Sequence, residues 1–290
     1  MISIHVNEKT LPEAWQAAVE RCWAEGARFR TEYDKPGDPE SRDVLAVIHV
    51  TDPFAEPRIH RAMPGGLNDL EKYRMEVVCG VHDHWIDPKA GKWTYTYHER
   101  LRRYCVDLWA NKPRYDQIAD AVKKLREAPF TRRAQVVTWQ VWNDVGTVDP
   151  PCLQRLWFRV EEGRLNMVCH IRSNDAYKAG FMNMYAFTEI QRYVAEQLQV
   201  GLGEYIHVAD SFHIYGSYFD EFENFLDLVA SRSKEDLCYE TSFAESFFID
   251  GLNELLAEDD MPSLKKDMVE QRLQELGVTK IESGEVIKEE

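Results

Sequence analysis

Between Gln154 and Ile171 the alternation of side chains leaves the chain little choice. Leu156, Phe158 and Val160 alternate with polar neighbours, Glu161-Glu162-Gly163 supplies a turn, and Leu165 to Ile171 returns. That pattern predicts a hairpin with one face turned to a core. A long helix is expected from about Asn183 to Gln199, closed by Gly201 and Gly203, and Tyr205-Ile-His-Val-Ala209 reads as a further strand. Strands and helices are therefore mixed within one stretch, with no repeat or linker between them, and the expectation is a single α+β domain over residues 1–270. The charged residues 271–290 read as a loosely held tail.

The remaining elements follow the same logic. Trp15, Ala18, Val19, Cys22 and Trp23 recur at helical spacing within 11–27, and Leu70, Tyr73 and Val77 do so within 67–78. Residues 33–42 are polar and rich in turn formers, which predicts a mobile loop feeding the β-branched strand 44–50. Residues 99–109 and 115–125 read as helices, 134–142 as a β-rich run, and the chain beyond Asp220 as mostly helical.

With 44% apolar residues in 290, the chain can bury a large core, and a net charge of −15 argues against a broad nucleic-acid surface. It leaves room for a small anion held by a few arginines. The six cysteines show no C-x-x-C pair and no metal-ligand spacing, so reduced thiols in a cytoplasm and no metal are expected. Neither a leader-like amino terminus nor an apolar run near eighteen residues is present, which predicts a protein that is not exported and meets no membrane.

Cys152 stands behind Asp149-Pro150-Pro151 and immediately ahead of the hairpin. An isolated cysteine is ordinarily a buried, inert residue. Three neighbours argue for a nucleophile here: two prolines fix the approach of the chain, Arg172-Ser173 ends the hairpin, and Arg132-Arg133 lies upstream. Guanidinium forks with a hydroxyl suit a phosphate monoester, and the same cations favour a thiolate.

Pro151-Cys152, the hairpin, Arg172-Ser173-x-Asp175, Asn183 and His213-Ile-Tyr215 together resemble the thymidylate synthase family, in order and nearly in spacing, over about 131–220. The resemblance implies a large twisted mixed sheet flanked by helices and a homodimer with its sheets packed face to face. It also implies a folate-dependent transfer of one carbon to C5 of a pyrimidine nucleotide monophosphate, with 5,10-methylenetetrahydrofolate as cosubstrate. Cys152 then resembles the nucleophile that adds to C6. Arg172 and Ser173 resemble phosphate ligands of the same subunit, Arg132 and Arg133 the pair donated by the other subunit, and Arg42 a mobile loop arginine touching phosphate and thiol. Asn183 resembles the reader of the base, His213 and Tyr215 the ligands of the sugar hydroxyl, Asp175 the acid that holds folate, and Tyr97 the residue activating a proton-abstracting water. For the general acid-base the choice is Glu71, with Glu76 as competitor.

Three departures keep the outcome of the reaction open: Leu153 follows the nucleophile where histidine is usual, Ser211-Phe212 precedes His213, and the carboxyl terminus is charged. The leading expectation is methylation of dUMP to dTMP, because an amide at Asn183 suits uracil. The alternatives are a hydroxymethylase acting on dUMP, dCMP or CMP with water in place of hydride, and an inactive member that only binds nucleotide.

Overall fold

The computed structural model describes residues 1–105, 114–282 and 285–288, and beyond Val278 only the backbone path is described. Its central sheet contains β1 (Ser3–Glu8), β2 (Ser41–Val50), β3 (Gln135–Val137), β4 (Leu153–Glu161), β5 (Arg164–Ile171) and β6 (Gly201–Ile214). Their spatial order is β1-β2-β6-β5-β4-β3, with Ala27–Phe29 added beside β2 and Asn174–Asp175 beside β6. Pairings are parallel for β1 with β2 and β5 with β6, and antiparallel elsewhere along that path, so the sheet is mixed.

The expected hairpin is β4–β5. Glu161 pairs with Arg164, and the two residues between them, Glu162 and Gly163, both have positive φ (49° and 73°), the two-residue turn whose twist matches the strands. The helices are α1 (Leu11–Glu25), α2 (Leu67–Cys79), α3 (Tyr97–Arg102), α4 (Gln117–Glu127), α5 (Gly180–Leu198), α6 (Phe219–Ala230), α7 (Thr241–Leu256) and α8 (Ser263–Glu275). Helix α1 starts at a capping box, Thr10 and Glu13 satisfying each other's backbone N–H groups. Its Trp15 indole donates to the Ala176 carbonyl at 2.8 Å, which ties α1 to the segment leading into α5.

Helices α1 and α5 cover one face of the sheet. Ile48, Leu156, Phe158, Met167, Cys169, Tyr205 and Ala209 point into that layer and are fully buried. The alternate residues Leu45, Val47, Trp157, Val168, Ile206 and Val208 face the other way and are only half-buried. A smaller apolar cluster, with Met75, Leu252, Leu255, Val269 and Leu273, holds α7 and α8 against the outer side of α2.

Four expectations are corrected. The helix expected over 99–109 is α3, which ends at Arg102; Tyr104–Cys105 is already extended and pairs with Arg114–Tyr115, while 106–109 lie outside the described residues. The β-rich run 134–142 stays extended only to Val137. Arg100 then draws the chain into one helical turn at Val141–Asp144, its guanidinium holding Asp144 at 2.8 and 2.9 Å and the Thr138 carbonyl at 3.0 Å. Arg42 lies within β2, opposite Ile214, and not in the preceding loop. Residues 271–275 complete α8, with Leu273 and Val278 buried, so the chain is packed well beyond 271.

Candidate active site

The hairpin and the chain entering it place Cys152. The Arg172 amide donates to the Cys152 carbonyl at 2.8 Å, and the Arg172 side chain donates to the carbonyls of Pro151 (Nε, 3.1 Å) and Pro150 (Nη2, 2.6 Å). Arg172 thereby fixes the two-proline approach, and its Nη1 has no protein partner among the described residues. Burial pushes the Cys152 thiol up, Asp149 pushes the same way, and the Arg172 charge with a hydrogen bond to Tyr97 opposes them. Left alone, the group is a thiol held ready for ionisation, with the cation that would assist it already in place.

Tyr97 opens α3, with Thr96 as N-cap accepting from the Glu99 amide. Its hydroxyl also accepts from the Leu153 amide at 3.4 Å, so one phenol touches both sides of the nucleophile's peptide link. Beside it opens a cavity of about 530 Å³ walled by Glu76, Trp93, Tyr95, Tyr97, Val148 and Asp149. The volume falls in the range of small-molecule sites. Burial drives Tyr97 and Tyr73 far above the ordinary phenol range, which keeps both neutral.

The choice of Glu71 is corrected by this geometry. Glu71 is fully buried away from the cavity, clasped by Arg74 (2.7 and 2.9 Å) and by Arg272 of α8 (2.8 Å). A carboxylate clasped by two guanidinium groups has no free edge for substrate. Glu76, the competitor, lines the cavity, and its Oε2 meets His82 Nδ1 at 3.0 Å.

Asn183 is the fourth residue of α5, inside its first turn, and not the cap that opens it. Its Oδ1 accepts from the Tyr73 hydroxyl at 2.6 Å. Asp175 accepts from the Lys178 amide (2.9 Å) and from the Tyr218 hydroxyl (2.5 Å). His213 is buried, with Tyr215 edge-on to its ring at 4.6 Å. Its Nδ1 faces the Ser211 hydroxyl (3.1 Å) and carbonyl (3.3 Å), while that hydroxyl donates to Asp43 of β2. Two acceptors at Nδ1 place the proton there, burial lowers the pKa and keeps the ring neutral, and Nε2 is left as a buried acceptor without a partner among the described residues. A sugar hydroxyl is a group such an atom would take. Ser173 lies next to Arg172, half-buried, its hydroxyl unpartnered among the described residues.

Two arginine expectations fare differently. Arg42 reaches the Trp23 ring (5.4 Å) and the Gly26 carbonyl (3.5 Å), and makes no contact with Cys152 or Arg172 among the described residues. The loop residue that does feel the thiol is Tyr33, whose pKa burial raises first and to which Asp149, Arg172 and Cys152 add smaller effects. Arg132 and Arg133 are exposed and form no ion pair among the described residues. Ala134 sits opposite Phe158, six residues along β4 from Cys152, so the pair stands roughly 20 Å from its own thiol at strand rise.

Sequence reasoning did not assign Tyr73, Tyr218, Tyr33 or Asp43. Tyr73 enters the sequence pattern only as one of the residues at helical spacing in α2; nothing in its local sequence distinguishes a phenol that reaches a polar partner from one that does not. Away from the cavity, His84, Glu258 and Asp260 present ligand atoms within 4.8 Å of one another, with Asp260 exposed. No helix among the described residues is long and apolar enough to cross a membrane.

Comparison with known proteins gives a family and a fold. A family model described as thymidylate synthase matches residues 67–243, more than half of the chain. A protein of Methanosarcina acetivorans named "Putative thymidylate synthase" is 28% identical over 221 residues, covering 76% of this chain and 93% of that one. A protein of Methanothermobacter thermautotrophicus with the same name is 28% identical over 235 residues, covering 76% and 96%. Among solved structures, thermostable thymidylate synthase A from Bacillus subtilis superposes with a TM-score of 0.58 at 19% identity, covering 74% of this chain and 83% of that chain, which is a shared fold.

Proposed function

Since the chain belongs to the thymidylate synthase family and is a one-carbon transferase, we propose that it methylates C5 of dUMP to give dTMP, using 5,10-methylenetetrahydrofolate in the cytoplasm. The observation that supports this most is Cys152 held by Tyr97 beside a cavity that also presents Glu76, with Arg172 braced against the Pro150 and Pro151 carbonyls and its charge favouring the thiolate. Arg172 Nη1 and the Ser173 hydroxyl take the phosphate, His213 Nε2 accepts the sugar hydroxyl with Tyr215 beside it, and Asn183 reads the base. Asp175 holds folate.

In this reading the Cys152 thiolate adds to C6, the displaced electron pair makes C5 nucleophilic, and C5 attacks the methylene carbon as the first of its two bonds to folate nitrogen breaks. Glu76 exchanges protons with the base carbonyl through water, and Tyr97 positions the water that removes the C5 proton, whose electron pair forms the exocyclic double bond as the second carbon–nitrogen bond breaks and tetrahydrofolate is released. Hydride from the tetrahydrofolate then reduces the exocyclic methylene as the thiolate leaves, giving dTMP and dihydrofolate. Water in place of hydride would give the hydroxymethyl nucleotide and tetrahydrofolate.

Two further features support a homodimer. The half-buried face of the sheet carries Leu45, Val47, Val168, Ile206, Val208 and Trp157, apolar side chains that a second copy would cover. Arg132 and Arg133, without an ion pair among the described residues and far from their own thiol, would in this reading serve the phosphate of that second copy.

The test is purified protein given dUMP, dCMP or CMP with methylenetetrahydrofolate, read by product mass and by tritium release from the C5-labelled nucleotide. Methyl product from dUMP with dihydrofolate is expected, and Cys152→Ala should release no tritium. Hydroxymethyl product would move the reading to the hydroxymethylase. No release from any nucleotide by the wild type would leave a nucleotide-binding protein without this chemistry.

A further inference from the structure

A base-reading carboxamide is useful only if it cannot turn round, and in this site Tyr73 governs that rotation. The Tyr73 hydroxyl has one proton, and its acceptor is Asn183 Oδ1 at 2.6 Å. Burial raises the phenol's pKa far above its ordinary value, so the proton stays in place across the physiological range. Asn183 Nδ2 makes no hydrogen bond among the described residues, and Asn183 is itself 6% exposed. The amide is therefore anchored at its oxygen, with its nitrogen unpartnered among the described residues, and the phenol that holds it lies close enough to Glu76, Tyr95 and Cys152 for each to add to the rise of its pKa.

Uracil offers N3–H as donor and O4 as acceptor along one edge; cytosine offers N3 as acceptor and its amino group as donor. A carboxamide can meet either edge, but in orientations related by a half turn about its Cβ–Cγ bond. We propose that Tyr73 is the specificity-determining residue of this site: by donating to Asn183 Oδ1 it fixes one amide orientation and so decides between uracil and cytosine nucleotides. The inference rests on the nucleotide reading of the cavity. Turning the amide would set Nδ2–H₂ against a hydroxyl whose proton has no other acceptor among the described residues, leaving a buried donor unpaired; Tyr73 acts on the base only through Asn183 and is a positioning residue.

The experiment measures equilibrium binding of dUMP and dCMP to wild type, Tyr73→Phe and Asn183→Ala. Wild type is expected to prefer one nucleotide, and Tyr73→Phe to reduce that preference by about tenfold, the unpaired-donor penalty converted to affinity, mainly by gain of the disfavoured nucleotide. Tyr73→Met, which keeps apolar volume without a donor, serves if the Phe variant does not fold. Equal binding of both nucleotides by wild type, an unchanged ratio in the Tyr73 variants, or equal loss of both nucleotides overturns the proposal. If wild type binds neither nucleotide, or binds them as well after Asn183→Ala, the nucleotide reading of the site fails and this inference falls with it.

Discussion

At the scale of single residues, the proposed chemistry depends on a thiol whose ionisation burial opposes and one cation supports. Removing that support should be measurable without any substrate. In Arg172→Gln the pKa of Cys152 is expected to rise further, so alkylation by iodoacetamide at neutral pH should slow several-fold, and the pH midpoint of the alkylation rate should move upward. An unchanged midpoint would show that Arg172 braces the chain without influencing the thiol. The places of Cys152, Arg172 and Ser173 were legible in the sequence because each is set by local chain geometry, a proline pair and a hairpin end, whereas Tyr97 was named only through the family resemblance, its helix start not being visible in the local pattern. Glu76 was not separable from Glu71. Five residues apart, they project about 140° from each other around a helix, and which side meets the cavity is decided by α7 and α8 covering the other. Arg42 misled for the opposite reason: its place at the edge of a loop is visible in sequence, whereas its inclusion in β2 depends on pairing with Ile214.

At the scale of elements, α5 carries both Asn183 and a buried ion pair that anchors the helix. Glu189 meets Arg58 Nη1 at 2.5 Å, Arg58 Nη2 donates to Thr188 at 2.8 Å, and the guanidinium lies 4.3 Å over the Tyr185 ring. Burial would raise the Glu189 carboxyl, yet the charges of Arg58, Arg192 and Arg74 hold it down at about 2. Its folded pKa lies below the unfolded one, so this stabilisation is present above the ordinary carboxylate value of about 4.3 and disappears as pH falls toward about 2. Glu189→Gln leaves Arg58 buried without its counter-ion and should cost about 3–5 kcal/mol in urea unfolding near neutral pH. The deficit should shrink at acid pH, and a deficit independent of pH would rule out the ionic account. The hairpin and the long helices were legible because their periodicity is strong over many residues. The stretch around 134–142 was not, because a long-range pair, Arg100 with Asp144, sets the path there.

At the scale of the whole molecule, the sheet has one face covered by its own helices and one left half-buried. The first was foreseeable from alternation; what covers the second lies outside any single chain's pattern. If a second copy covers it and lends Arg132 and Arg133, then Cys152→Ala and the double variant Arg132→Ala/Arg133→Ala are each inactive alone and recover activity when subunits are mixed. One of the hybrid sites then has both a thiol and a complete arginine set. No recovery after subunit exchange, confirmed by mass, would confine the site to one chain.

Helix α2 presents three residues in three directions: Glu71 outward to Arg272, Tyr73 to the amide of Asn183, and Glu76 to the cavity. They ride on one rigid cylinder, so the roll of that cylinder is a single setting shared by all three. The grip of Arg272 on Glu71 works as a set screw, part-buried between α2 and α8, for the angle at which the candidate site sees its phenol and its carboxylate.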